Sequence, residues 1–154
     1  MRERMQNPAV VIPGAMDAIQ ALMAATYAGG VPPETLALVH LRVSQINGCD
    51  TCIQSGTVHA RKAGETDERL AAVAAWLHAP CFSSAERAAL ALAEAITRMA
   101  DQPDPVPDEI WDEAARHYSE QELAALLLWI GTTNLFNRLN VPTRPAAGDW
   151  VSHQ

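Results

Sequence analysis

The chain is poor in the features that would make it a nucleic-acid binder, a membrane protein or a secreted disulfide scaffold. Only 11 of its 154 residues are Lys or Arg against 18 Asp or Glu, leaving a formal net charge of -7 and an isoelectric point of about 5.1. No positive field exists to hold a phosphate backbone, which argues against nucleic acid as a partner. No uncharged apolar run reaches the ~18 residues of a membrane span. The opening Met1 to Asn7 leads into no secretory apolar core, so the expected location is the cytoplasm, with no membrane partner. Cysteines number three, Cys49, Cys52 and Cys81, an odd count unlike the framework of a small secreted domain. Aromatics are scarce at 5%, and no Val, Ile or Thr stretch alternates as a strand.

What remains is an aliphatic chain, 49% hydrophobic with a mean hydropathy of -0.04, which excludes intrinsic disorder. Its length suits one domain over 1–154. Ala, Leu, Glu and Arg recur at helical spacing almost throughout, predicting an all-α fold of about six to seven helices. Ser83 with Glu86 and Ser119 with Glu122 are capping boxes, and Thr66 followed by Asp67 and Glu68 is a third helix start. These marks predict helices near 15–28, 33–47, 49–63, 66–77, 84–101, 107–118 and 120–139. Gln102 to Pro107 reads as a proline connector and Pro142 to Gln154 as an extended tail. Ala85, Ala88, Ala89, Leu92, Ile96 and Met99 form one apolar stripe expected to face the core.

The chemistry concentrates between Leu41 and Cys52. Asn47-Gly48 can close one helix in the left-handed conformation, and the next opens with Cys49 and Cys52 in its first turn. The positive end of a helix lowers a thiol pKa, and a two-residue spacer brings two sulfurs within disulfide reach. Peroxide attack on one thiolate would give a sulfenic acid that the other resolves. Zinc would need four ligands, and beyond this pair only Cys81, His40, His59, His78, His117 and His153 are at hand without paired spacing. No metal or cofactor is therefore expected. Two buried structural thiols are the competing reading, since free cysteine is often buried. Cys81 is expected to be a packed bystander, and Asn134 with Asn137 to bridge helices.

The segments Leu41 to Cys49, Cys49-x-x-Cys52, Ala60 to Glu65 and Asn137 to Asn140 resemble the AhpD-like alkylhydroperoxidases of the carboxymuconolactone decarboxylase superfamily. The resemblance covers about 15–144, with 145–154 as a tail. It implies an all-α fold and a homo-oligomer, often a trimer or hexamer. It also implies reduction of a peroxide or other small-molecule substrate at Cys52, with Cys49 resolving and a dithiol donor regenerating the pair. The family's proton relay adds a glutamate twelve residues before the first cysteine and a histidine four after the second. Those slots here hold Ala37 and Gly56.

Glu34 and His40 lie three residues either side of Ala37, and His59 lies three after Gly56, about one helical turn away. These three are the candidates for a displaced relay. A solvated surface position is the alternative for both histidines. Restoring a histidine at Gly56 should cost no helix stability, because glycine is a poor helix former. Three functions stay open on the residues alone: a CxxC peroxidase weakened by loss of its relay, a thiol-disulfide oxidoreductase without peroxide specificity, and a non-enzymatic helical oligomer that binds a small ligand.

Overall fold

The computed structural model describes residues 2–145, and among them every regular element is helical. The elements are α1 (Pro8–Val11), α2 (Ala15–Tyr27), α3 (Pro33–Asn47), α4 (Asp50–Lys62), α5 (Asp67–Ala72), α6 (Ser84–Thr97), α7 (Asp108–His117) and α8 (Glu120–Thr143), with a 3-10 turn at Val73–Ala75. The starts follow local chemistry. Ser83 and Ser119 each accept the N–H of a glutamate three residues on, whose carboxylate returns to the serine N–H. Such caps contribute about 1 kcal/mol each.

The centre is α3, which packs against α4, α6 and α8. Leu36, Val39 and Val43 enter one cluster with Leu92 of α6 and Leu126, Trp129 and Ile130 of α8. Leu38 and Leu41, on another face, enter a second with Ala60, Leu70, Phe82 and Leu90. A helix buried on both faces must be apolar on both, so α3 shows no narrow stripe. The α6 stripe does face the core: Ala88, Ala89 and Leu92 are buried, and Ala85 and Ile96 pack against them.

Several boundaries differ from expectation. α6 stops at Thr97, four residues early, so Met99 is exposed. The fourth predicted helix divides into α5 and the 3-10 turn. α8 runs on to Thr143 with Pro142 in its last turn, where a missing N–H costs a single bond. Its last carbonyls find partners in the N-terminal segment, as the backbone N–H of Arg4 donates to Thr143 O at 2.9 Å and its guanidinium to Pro142 O at 3.2 Å. Of the expected tail, 146–154 lie outside the described residues. The short α1 was not expected, although Asn7 before Pro8 is a helix start: its side chain accepts the N–H of Ala9 at 2.8 Å. No helix among the described residues is long and apolar enough to cross a membrane.

Candidate active site

Gly48 ends α3 with φ of 66°, a conformation that costs glycine nothing, and this sharp turn sets Cys49 as the N-cap of α4. No side chain caps α4, so its first-turn N–H groups and the helix dipole remain available to a sulfur anion. Cys49 and Cys52 form a disulfide with Cα atoms 5.3 Å apart, and both are almost fully buried. Only Cys52 lines a cavity of about 960 Å³ bordered by α1, α2, α3, α4 and α8. The cavity wall is mainly apolar and includes Met16, Met23, Tyr27, Ala37, Trp129 and Phe136. Trp129 is held by its indole N–H, which donates to Leu36 O at 2.7 Å, and its ring stands between Tyr27 and His40 with centroids 5.1 and 6.0 Å away.

His40 is not on the solvated surface. Its ring is partly buried in the cavity wall, with Nε2 donating to the Cys52 carbonyl at 3.2 Å and Nδ1 3.5 Å from the Thr133 hydroxyl. A carbonyl only accepts, so the proton sits on Nε2 and Nδ1 keeps its lone pair. Burial pushes the His40 pKa below the ordinary imidazole value; the Cys52 carbonyl opposes this and His59 reinforces it. The ring is thus neutral at pH 7.

The ring has room because residue 56 is glycine. A Cβ there would lie 2.5 Å from His40 Cδ2 and 2.9 Å from Nε2, closer than atoms can pack. The imidazole from α3 therefore fills the space beside the α4 position where the resemblance places a histidine. The expectation that a histidine at 56 costs nothing fails for the same reason, since helix propensity takes no account of a neighbouring helix.

The other relay candidates part company. His59 is exposed on the cavity rim, its Nδ1 2.7 Å from Ser55 O. Glu34 borders a different cavity, with Glu65, Arg69 and Tyr118. Arg42 is held by Glu94 at 2.6 Å and by Ala74 O. Glu94 is desolvated, which raises its pKa, yet bonds from Trp76 and Arg42 outweigh this and hold it below the usual carboxylate range. Asn137 bridges α8 to α3 through Asn47 and Ser44, and Asn134 joins the same contact through Asn47. Cys81 is a free thiol packed against the second core cluster. Among the described residues no group of three or more His, Cys, Asp or Glu side chains is arranged to hold a metal ion.

Two residues that sequence reasoning gave no role lead to the sulfur, one directly and the other through the first. Asn140 of α8 donates through Nδ2 to Cys52 Sγ at 3.3 Å, and Asn7 Nδ2 donates to Asn140 Oδ1 at 2.6 Å. The helix-start signal at Asn7-Pro8 marks Asn7, but no local pattern connects positions 133 residues apart.

This helical fold, with a buried CxxC at a helix start under an apolar cavity, matches a known family. The carboxymuconolactone decarboxylase family profile matches residues 13–95, more than half of the chain, and the protein belongs to that family. It is 40% identical to the uncharacterised protein YdfG of Bacillus subtilis (strain 168) over 107 residues, 70% of this chain and 71% of that one. It is 33% identical to the uncharacterised protein YnjA of Escherichia coli (strain K12) over 108 residues, 70% of this chain and 58% of that one. Among solved structures, an Agrobacterium tumefaciens protein of unknown function, ascribed to antioxidant defence as an AhpD, superposes with a TM-score of 0.85. The two share 29% identity over 93% of this chain and 96% of that one. The debrominase Bmp8 superposes with a TM-score of 0.77 at 25% identity, over 89% of this chain and 73% of its own.

Proposed function

We propose that the protein is a peroxidase that reduces an organic hydroperoxide through Cys52 and Cys49. One observation carries the reading: Cys52 lines a large apolar cavity while bonded to its resolving partner, with a neutral imidazole in the same cavity wall. In the reduced protein the Cys52 thiol gives up its proton, and His40, with its Nδ1 lone pair beside the Thr133 hydroxyl, is the base in the same cavity wall that takes it up. The thiolate attacks the terminal oxygen of the hydroperoxide, the O–O bond breaks, and the departing alkoxide takes the proton back as alcohol. Cys52 is then a sulfenic acid. The Cys49 thiol attacks its sulfur, hydroxide leaves with the Cys49 proton as water, and the disulfide forms. A dithiol donor returns two electrons and two protons. Glu34, the acidic candidate beside the glutamate slot at Ala37, borders the other cavity.

Burial of both sulfurs favours this over exchange with protein disulfides, which could not reach a pair only 2–3% exposed. The family resemblance adds a homo-oligomer, which would cover exposed Val10, Val11, Leu127 and Leu128. Cumene hydroperoxide consumption with dithiothreitol as donor tests the activity. Turnover should vanish in Cys52→Ser, and Cys49→Ser should stop after one equivalent with a trappable sulfenic acid. A wild-type protein that leaves the hydroperoxide intact overturns the reading.

A further inference from the structure

We infer that Asn140 is the hydrogen-bond donor that stabilises the Cys52 thiolate, and that Asn7, at the start of α1, is the positioning residue that aims it. An amide side chain can present either end, and here the orientation follows from a chain of obligatory roles. The backbone N–H of Ala9 can only donate, so the atom it meets on Asn7 is Oδ1. Asn7 therefore turns Nδ2 toward Asn140, which must meet it with Oδ1. The remaining end of Asn140, its NH2 group, faces Cys52 Sγ. All three side chains are buried, with 3–5% of their surface exposed, so water does not compete for these bonds.

A disulfide sulfur is a weak acceptor and a thiolate a strong one, so the bond gains strength on reduction and favours the charged form. The arrangement depends on the N-terminal segment, which Arg4 pins to the end of α8 and so sets Asn7 beside Asn140. Besides Cys52, the titratable residues lining the cavity are Asp17 and Tyr27 of α2, His40 of α3 and His59 of α4. The N-terminal segment, α1 and α8 line it with uncharged side chains, so the donor on this side of Cys52 is an amide that holds its role at any pH.

The inference rests on reading Cys52 as a redox thiol but not on peroxide as its substrate. Its test is thiolate ultraviolet absorbance against pH, with alkylation rate by iodoacetamide, in a reduced Cys49→Ser, Cys81→Ser background where Cys52 is the sole thiol. A hydrogen bond to a charged group is among the stronger kinds, so Asn140→Ala should lower the thiolate fraction below the pKa about tenfold or more. Asn140→Leu fills the same space and guards against collapse around a cavity. Asn7→Ser keeps an oxygen for the N–H of Ala9 but is too short to reach Asn140. It should move the titration the same way, by about threefold or more, in a protein that still folds. Folded Asn140→Ala or Asn140→Leu, together with Asn7→Ser, titrating as the background does overturns the inference. A pair that dithiothreitol cannot reduce in the otherwise native protein overturns the redox reading instead.

Discussion

Two cavities border α3, and they are furnished in opposite ways. The smaller, about 540 Å³, is lined by Glu34, Glu65, Arg69, Glu86, His117, Tyr118 and Glu122, and most of these charges serve the fold. Arg69 pairs with Glu65 at 2.8 Å and with Glu86, donates to Cys81 O and lies over the Phe82 ring; its carboxylate partners hold its pKa above the ordinary value. Glu86 and Glu122 close capping boxes, and Tyr118 donates to Ala85 O at 2.7 Å, its phenol pushed by burial up to about 12. The larger cavity carries little charge, and among its polar groups Asn140 reaches the Cys52 sulfur and His40 the Cys52 carbonyl. Density of charge marks a structural joint here, whereas the candidate chemistry lies where an amide meets the Cys52 sulfur and an imidazole its carbonyl in apolar surroundings.

The comparison is broken most sharply at His40. His40→Gln should leave the fold intact and lower hydroperoxide turnover about 10²-fold or more, the usual worth of a positioned base. Steady-state kinetics beside a thermal melt checks it, and turnover within threefold of wild type removes His40 from the proton path. Arg69→Met is the mirror experiment. It strands the buried Glu65 carboxylate and should cost about 3 kcal/mol, at the lower end for buried pairs because Arg69 is a quarter exposed. Urea unfolding measures that loss, while turnover per folded molecule stays at the wild-type value.

A smaller effect sharpens the contact between the two helices of the larger cavity. Gly56→Ala gains about 1 kcal/mol of helix propensity but forces the His40 ring aside, a crowding that costs about 1–3 kcal/mol. In a double-mutant cycle the substitution should destabilise the wild type by about 1 kcal/mol yet stabilise the His40→Ala protein. Additive effects would mean that the two positions do not share space.

The smallest effect is in pH. Folding depresses the His40 pKa, so the unfolded chain binds a proton that the folded one refuses once the pH drops below about 6.5. This contribution is whole above that value and declines as the pH falls toward the folded pKa. Between about pH 7 and 5 the wild type should therefore lose more stability than His40→Gln, as read from paired urea titrations.

Most helix starts were legible in the sequence because a cap is a bargain among neighbours. Ser83 with Glu86, Ser119 with Glu122 and Thr66 with the N–H of Arg69 each act within three residues, and the structure forms all three. The same locality made the site's nucleus readable, for Gly48 followed by Cys49-x-x-Cys52 is a turn and a helix start in one short string. Helix ends were read less well. α6 ends at Thr97 and α8 continues to Thr143, where the distant Arg4 supplies partners for the last carbonyls.

Sequence alone thus determined the all-helical fold, the caps and the cysteine pair, each settled by interactions within about one helical turn. Tertiary structure decided which candidates share a cavity with Cys52. His40 meets Gly56 because α3 and α4 pack closely where one side chain is absent, and Glu34, only six residues from His40, borders the other cavity. Asn7 reaches Cys52 through Asn140 only because the N-terminal segment is fastened to the end of α8. Such meetings depend on how whole helices dock, and no spacing along the chain encodes them.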